Sequence, residues 1–183
     1  MRSVKLRFLC GRSLYREVVV RGIARARESV WIATANVKEL YLSDDPAGGR
    51  RQRLSILELF ARLARRGVDL RLLHAALPSR VFRASFERQP ALAAGALALK
   101  QCPRVHLKAV LIDGGRLYLG SANLTGAGLG ARSERRRNFE VGFLTEDFEL
   151  IDHLSALFDS IWSGQACREC GRVEVCPDPI RPR

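Results

Sequence analysis

Two short apolar runs of the sequence carry polar side chains at fixed positions. His106 and Lys108 stand two residues apart in "VHLKAVLID", and Ser121 and Asn123 stand two residues apart at the end of "RLYLGSAN". A strand places such residues on the same face. A neutral imidazole can act as a nucleophile, and an ammonium group and an amide can stabilise charge on a phosphoryl oxygen. The pattern predicts a site for phosphodiester chemistry that needs no metal.

The segment between the two runs is "DGG", which begins with Asp113 and Gly114. An Asp-Gly pair between apolar runs is a strong signal for a hairpin, so the turn is expected to bring the polar pairs together. The alternative is a core hairpin with incidental polar residues. Buried Lys and His side chains are costly without partners, and this favours a functional site.

The rest of the chain alternates helical and strand-like patterns. Apolar spacing predicts helices over 13–29, 54–67, 79–89 and 147–163. Strands are predicted over 30–37, 68–75, 105–113, 116–123 and 138–146. A polar loop is expected at 40–53, and the Ala-rich stretch after residue 89 is ambiguous. This order predicts an α/β domain over 1–163, with a mixed β-sheet flanked by helices, followed by a short Cys-containing tail over 164–183.

The charge balance favours a polyanionic partner. The chain has 31 basic and 19 acidic residues, a formal charge of +12, and 47% hydrophobic residues. The hydrophobic content indicates a globular protein and excludes a disordered one. Nucleic acid is the first candidate partner and an anionic lipid surface the second. The alternative interpretation is a well-solvated basic surface.

No apolar run approaches the roughly 20 residues needed to cross a bilayer, so no transmembrane segment is expected. The beginning, "MRSVKLRFLCGRSLY", lacks the uninterrupted apolar core of a signal peptide. A cytoplasmic location is therefore predicted.

Six residues of the two runs stand at set spacing: His106, Lys108, Asp113, Gly120, Ser121 and Asn123. This spacing resembles the signature of the phospholipase D superfamily, the HKD enzymes, and is similar to the small single-motif bacterial endonucleases of that superfamily. Six matched positions in a strand–turn–strand context are far more specific than a lone histidine. The resemblance extends from about residue 14 to 162 and implies a phospholipase D-like layered sandwich.

The resemblance also implies a mechanism. His106 would attack phosphorus to form a phosphohistidine, and Lys108 and Asn123 would hold the non-bridging oxygens. A second His, from a second copy of the motif, would protonate the leaving alcohol, and water would then attack. No metal or other cofactor is needed for this chemistry.

Three further residues have supporting roles by the same resemblance. Ser121 would be a hydrogen-bond donor, and Asp113 would be a structural brace near the turn. Glu140, in "RRNFEVGFLTED", would contact the nucleophilic histidine.

The motif occurs only once. The other histidines, His74 and His153, lack a following x-Lys and are expected to be structural or on the surface. One motif cannot supply both acid and nucleophile. The sequence therefore predicts a homodimer with the site on the two-fold axis, where the same patch occurs twice.

Two basic loops bear on the substrate. "GARSERRRN" carries four arginines between the signature and Glu140, namely Arg132, Arg135, Arg136 and Arg137, and "GRRQR" begins at residue 49. A basic rim fits a nucleic-acid backbone, and solvated charge runs are the alternative. A nuclease with little sequence preference is the first hypothesis. A lipid phosphodiesterase, with "PALAAGALAL" as its apolar entry surface, and a non-catalytic nucleic-acid-binding subunit are the alternatives.

The tail contains "CRECGRVEVC", in which Cys167, Cys170 and Cys176 form a C-x2-C-x5-C cluster. Disulfides are a poor default in the cytoplasm, and clustered thiolates suit a structural zinc ion or an iron–sulfur cluster. Cys10 or Cys102 is expected as the fourth ligand, with a partner subunit or a His as further sources. Free thiols or a disulfide are the alternatives.

Overall fold

A computed structural model describes residues 2–42 and 54–180 of the chain. Most of the loop predicted at 40–53, including the whole basic stretch 49–53, lies outside the described residues. No helix among the described residues is long and apolar enough to cross a membrane.

A seven-stranded sheet forms the centre of the molecule. Its strands are β1 (Arg7–Cys10), β2 (Ser29–Thr34), β5 (Asp69–His74), β6 (Ala98–Gln101), β7 (Ala109–Ile112), β8 (Arg116–Gly120) and β9 (Val141–Thr145). The strand order is β1-β9-β8-β7-β2-β5-β6. β2, β5 and β6 are parallel, and the other pairs are antiparallel. Two short strands, β3 (Tyr41–Leu42) and β4 (Leu54–Ser55), pair separately. The predicted mixed sheet is confirmed.

The longer helices agree with the sequence prediction. They are α2 (Ile56–Ala64), α3 (Arg80–Glu87) and α4 (Phe148–Trp162). α2 begins with a capping box, in which the Ser55 hydroxyl accepts from the backbone of Glu58 and the Glu58 carboxylate accepts from the backbone N–H of Ser55. It is followed by Gly67 at φ +82°, the left-handed position that glycine favours after a helix.

The helix predicted over 13–29 is broken. One turn, α1 (Arg12–Leu14), continues as a π-helix (Tyr15–Val20), and a 3-10 turn (Ile23–Arg25) follows. Gly22 separates these pieces and lies tightly against β7, because a Cβ there would be 2.7 Å from the Ile112 side chain. Packing against the sheet therefore overrides the helical periodicity.

Within the seven-stranded sheet, two strands, β1 and β6, are absent from the sequence prediction. Each lies at an edge of the sheet and has one neighbour. β6 also follows an irregular turn (Leu92–Ala96) in the Ala-rich stretch, a composition with low strand propensity. These strands depend on pairing with β9 and β5, which local sequence does not reveal.

Each face of the sheet packs on a separate core. One face packs against the first helical segments and α2 through Leu14, Ile56, Phe60 and neighbouring side chains. The other face packs against α4 through Phe158 and Ile151. α4 covers only the central part of its face.

Asp113 closes the β7–β8 hairpin and joins it to β2. Asp113 and Gly114 have φ of +52° and +59°, as the Asp-Gly turn predicts. The Asp113 carboxylate accepts hydrogen bonds from the backbone N–H groups of Arg27, Glu28 and Ser29 at 2.8–3.1 Å. Burial alone would raise the pKa of Asp113, but these donors and the charge of Arg27 lower the pKa below its ordinary value.

Substituting Asp113 is expected to destabilise the fold. Asp113→Ala removes the acceptor for three N–H groups and should cost about 1–2 kcal/mol in the free energy of unfolding, and Asp113→Asn should cost less. Urea denaturation measures both values. Because the folded pKa is depressed, this stabilisation is present above the unfolded pKa of about 3.9 and is lost as the pH falls through the folded pKa. An unchanged gap between wild type and Asp113→Ala at acid pH would contradict this role.

Candidate active site

The strand pairing brings several segments to one edge of the sheet. β2 and β8 end at this edge, and β7 and β9 begin there, because β7 runs antiparallel to both β2 and β8, and β9 runs antiparallel to β8. His106 and Lys108 precede β7, and Glu140 precedes β9. Ser121 and Asn123 follow β8. The polar residues that the sequence singled out, with the exception of Asp113, therefore meet at a single edge.

His106 and Lys108 lie side by side, just before β7. The predicted strand 105–113 is shorter than expected, since regular pairing starts only at Ala109. Lys108 Nζ lies 3.1 Å from His106 Nε2 and 3.2 Å from Nδ1, and it donates to the His106 carbonyl oxygen at 2.9 Å. His106 is exposed and Lys108 is half-buried. The arrangement leaves the imidazole accessible beside a fixed positive charge.

The side chain of Asn123 is held in one orientation by β2 and the residues after it. Asn123 Oδ1 accepts from the backbone N–H of Asn36 at 3.0 Å. The single hydroxyl proton of Thr34 is shared between Asn123 Oδ1 at 3.2 Å and the Asn36 carbonyl oxygen at 3.0 Å. Thr34 Oγ1 also accepts from the backbone N–H of Leu124 at 3.1 Å. A backbone N–H can only donate, so Oδ1 must face it. The amide nitrogen of Asn123 is thereby turned away, and no residue in 2–42 or 54–180 accepts a hydrogen bond from it, so that it can donate to a ligand.

Ser121, Glu140 and Asn138 form a second polar group at the edge. The Ser121 hydroxyl donates to the Glu140 carboxylate in a very short hydrogen bond, and Asn138 Nδ2 donates to the same carboxylate at 3.1 Å. Ser121 Oγ also accepts from the Val141 backbone at 3.1 Å. Contact between Glu140 and His106 stays a prediction, and the partners that the structure gives this carboxylate are Ser121 and Asn138.

Tyr118 packs directly beneath this group. A Cβ on Gly120 would lie 2.5 Å from the Tyr118 hydroxyl, and one on Gly142 would lie 2.4 Å from its ring. The glycine of the Gly-Ser-x-Asn signature is therefore needed for close packing. Burial raises the pKa of Tyr118 to about 12, with a further increase from the charge of Glu140. Tyr118 remains neutral and supports the edge from below.

Asp113 lies at the opposite end of β7 from the other motif residues. Six residues separate it from His106, and these seven steps span at most about 23 Å at 3.3 Å per residue. It binds the backbone at 27–29, as described above. This placement fits the structural brace that the resemblance implies. It does not allow a contact between Asp113 and a phosphate bound at the site.

The arginines of 130–138 differ in their placement. Arg132 lines a cavity of about 260 Å³ together with Asn123, Lys38 and Asn138. Arg135 and Arg136 lie on an exposed 3-10 turn. The Arg137 guanidinium pairs with Glu134 at 3.4 Å. The structure thus brings Arg132 next to the predicted phosphate-binding amide and leaves the others at the rim or engaged within the loop.

The two remaining histidines are placed as expected from the sequence. His74 is buried at the end of β5 and contacts the Ala76 carbonyl oxygen at 3.0 Å. Burial lowers its pKa, against an opposing backbone hydrogen bond. His153 is exposed on α4.

The cysteines fall into two places. Cys102, Cys167, Cys170 and Cys176 line a second cavity beside the first site. Cys10 lies on β1, at the other edge of the sheet.

Sequence reasoning missed the residues that orient the site. Thr34 and Asn36 fix Asn123, and Asn138 binds Glu140. Thr34 and Asn36 come directly after the apolar residues of a buried strand, in "IATAN". Polar residues at the end of a buried strand can indicate a site. Only the strand pairing shows that Thr34 and Asn36 contact Asn123.

The fold and the site together define a phospholipase D-like member of a phosphodiesterase superfamily. A family model described as "Cardiolipin synthase, PLD-like domain" matches residues 19–162. The chain belongs to this PLD-like domain family. No curated protein sequence matches the chain significantly.

Solved structures share the fold at low sequence identity. Nuc, a phospholipase D family member from Salmonella typhimurium, is 17% identical with a TM-score of 0.59, over 87% of this chain and 95% of Nuc. NucT from Helicobacter pylori is 17% identical with a TM-score of 0.60, over 88% and 97% of the two chains. Phosphatidylserine synthase from Haemophilus influenzae is 15% identical with a TM-score of 0.55, over 84% of this chain and 36% of the synthase.

Thr34 is expected to act as a positioning residue for Asn123. Thr34→Val removes its hydroxyl and should lower kcat for a chromogenic phosphodiester, bis(p-nitrophenyl) phosphate, by about tenfold, because a misplaced donor binds the transition state poorly. Thr34→Ser keeps the hydroxyl and should restore most of kcat. Thermal unfolding of both variants separates this effect from lost stability. Equal kcat in Thr34→Val and wild type would contradict the role.

Proposed function

We propose that this protein is a metal-independent nuclease that cleaves DNA or RNA with little sequence specificity. The observation that carries the proposal is the convergence of His106, Lys108 and the freed Asn123 amide at one open edge of the sheet, with Arg132 beside them. The first three supply a nucleophile and two donors for phosphoryl oxygens. Arg132 and the overall charge of +12 favour a substrate with many phosphates.

The proposed reaction has two steps. In the first step, a ring nitrogen of His106 attacks phosphorus, the P–O bond to the leaving group breaks, and an imidazolium donates its proton to the leaving oxygen. In the second step, water attacks the phosphohistidine and the P–N bond breaks. The imidazole that gave its proton to the leaving oxygen takes a proton from this water. Lys108 and Asn123 bind the non-bridging oxygens throughout. Glu140 and Ser121 hold the strand ends around the nucleophile.

The second imidazole is proposed to come from a second copy of the chain. His74 ends β5 beside Thr34, but its side chain is buried, and His153 is exposed on α4. Neither therefore offers an accessible imidazole at the site edge. Two copies of His106 can face each other across a two-fold axis, since such an interface repeats the same patch. His106 of the second copy would then complete the active site at the sheet edge.

An exposed apolar sheet face supports a dimer. Phe8, Leu119, Val141 and Phe143 are 58%, 43%, 48% and 43% exposed. Phe143 pairs with both Phe8 and Leu119, so these three lie side by side across β1, β9 and β8. They occupy the part of the face that α4 leaves open. Exposed apolar patches of this kind commonly mark interaction sites, and Val141 directly follows Glu140.

The lipid alternative has weaker support. Its proposed entry surface, the run 90–99, contains Leu92 and Leu97, which are buried in the core. The run forms a turn and part of β6, and Leu99 is its one large apolar side chain that is exposed. A non-catalytic nucleic-acid-binding subunit would need the same basic edge but no accessible histidine.

Substrate panels distinguish the three functions. Wild type is incubated with single-stranded DNA, duplex DNA, RNA and cardiolipin vesicles, in a buffer with enough EDTA to remove free magnesium. We expect cleavage of nucleic acid, and a loss of about 1,000-fold or more in His106→Ala because the nucleophile is removed. His153→Ala is the matched control and should retain wild-type activity.

The other outcomes point elsewhere. Turnover of cardiolipin alone would support the lipid enzyme, and binding of nucleic acid without cleavage would support the binding subunit. Cleavage that survives in His106→Ala would contradict the proposed mechanism.

The shared active site is tested with mixed dimers. Wild type and His106→Ala are coexpressed with different affinity tags and purified over both tags. The mixed dimer has one His106 and lacks either nucleophile or acid, so its activity should fall at least about 100-fold. A doubly tagged wild-type dimer is the control. Half of the wild-type activity would instead indicate two independent sites.

A surface substitution tests the interface itself. Phe143→Asp places a charge on the exposed apolar face. The variant should be a monomer by light scattering and should be inactive in the nuclease assay. A monomeric, fully active protein would refute the dimer.

A further inference from the structure

Four of the five cysteines line one cavity of about 280 Å³, here called the thiol cavity: Cys102, Cys167, Cys170 and Cys176. They come from two distant parts of the chain. Cys102 follows β6, and the other three belong to the tail after α4. All are partly buried thiols. The fold therefore adds a fourth thiol to the C-x2-C-x5-C cluster of the tail.

The fifth cysteine is too distant to join them. Cys10 lies on β1 and Cys102 directly follows β6, and these strands form opposite edges of the seven-stranded sheet. Six inter-strand spacings of about 4.8 Å separate the two edges by about 29 Å. Of the two candidates that the sequence offered for a fourth ligand, the topology selects Cys102.

The thiol cavity is lined by positive charge. Arg104 lines the cavity and lies near Cys170, Cys102 and Cys167. Arg172 also lines the cavity. Positively charged side chains beside cysteines favour the thiolate form that binds metals.

Local backbone geometry also fits a ligand loop. The N–H of Cys170 donates to the Cys167 carbonyl oxygen at 3.2 Å, and the N–H of Cys176 donates to Val173 at 3.3 Å. Each pair closes a tight turn, so both tail segments present their cysteines from compact turns. Within residues 2–42 and 54–180, no three side chains of the His, Cys, Asp and Glu types yet surround one point closely enough to hold a metal. The tail turns would have to move inward for ligation.

We propose that the thiol cavity is a structural zinc site in which four thiolates hold the ion, those of Cys102, Cys167, Cys170 and Cys176. Tetrahedral ligation by four cysteines is a usual geometry of structural zinc. Binding releases the protons of the four thiols. The resulting site carries a net charge of about −2, since four thiolates surround one Zn²⁺, and the arginines of the cavity offset this charge. The zinc ion would take no direct part in the phosphodiester chemistry.

The zinc site would position the segment that carries the nucleophile. Only Pro103, Arg104 and Val105 separate Cys102 from His106, and His106 lines the same cavity. Zinc would tie the tail to this segment and restrict its motion. Metal removal should therefore loosen the site edge without removing any residue that contacts the phosphate.

Metal analysis tests the site without relying on activity. The protein is purified under reducing conditions and analysed for metals, and we expect about one zinc ion per chain. Exchange with Co²⁺ should give the intense red-region absorption of tetrahedral cobalt bound to sulfur. Cys102→Ser and Cys170→Ser should lose most of the zinc and weaken that absorption. Cys10→Ser is the matched control and should retain both.

Several results would overturn the proposal. Wild type that takes up neither Zn²⁺ nor Co²⁺ would do so, as would loss of metal in Cys10→Ser. A disulfide between thiols of the cavity in protein kept reduced would also refute it. Iron with acid-labile sulfide and a brown colour would show that the cavity holds an iron–sulfur cluster and not zinc. Because Ser variants can misfold, the cobalt spectrum of wild type and the fall in its Tm on chelation are measured as well.

Discussion

The register of β7 between β2 and β8 is the constraint on which the site depends. Ala109 pairs with Ala33 on one side and with Leu119 on the other. This places the residues before β7, after β2 and after β8 at one edge. A shift of one residue would turn every side chain of β7 to the opposite face. Asp113 secures the far end of the same strand through the backbone at 27–29. The motif residue most distant from the chemistry therefore helps to hold the register that assembles it.

Uneven coverage of the sheet connects stability with the proposed assembly. One face packs against the first helical segments and α2, and α4 covers only the centre of the other. An apolar strip of Phe8, Leu119 and Phe143 is left open beside the catalytic edge. A single motif supplies one exposed imidazole, and the same region offers a surface that a second copy can bury. The proposed half-site, with its single imidazole, and the uncovered apolar strip therefore lie on neighbouring parts of the molecule.

Positioning residues lie on a different strand from the groups they orient. Thr34 and the backbone of Asn36 determine which way the Asn123 amide points. Gly120 and Gly142 allow Tyr118 to pack against the strand ends from below. The thiol cavity adds a further constraint, because Cys102 lies close to His106 in sequence and opposite the tail in space. The exposed reactive groups are therefore supported from several sides by partly or fully buried ones.

The sequence by itself determined the motif, the hairpin turn, the helices α2, α3 and α4 and the mixed character of the sheet, since these follow from local spacing, caps and glycine positions. It did not reveal β1, β6 or the break at Gly22, because edge pairing and close approach to Ile112 are set by distant residues. Local patterns also could not identify Thr34 and Asn36 as partners of Asn123, or choose Cys102 over Cys10. Those relations arise from strand order, which places residues far apart in the chain at one edge and separates others by the full width of the sheet.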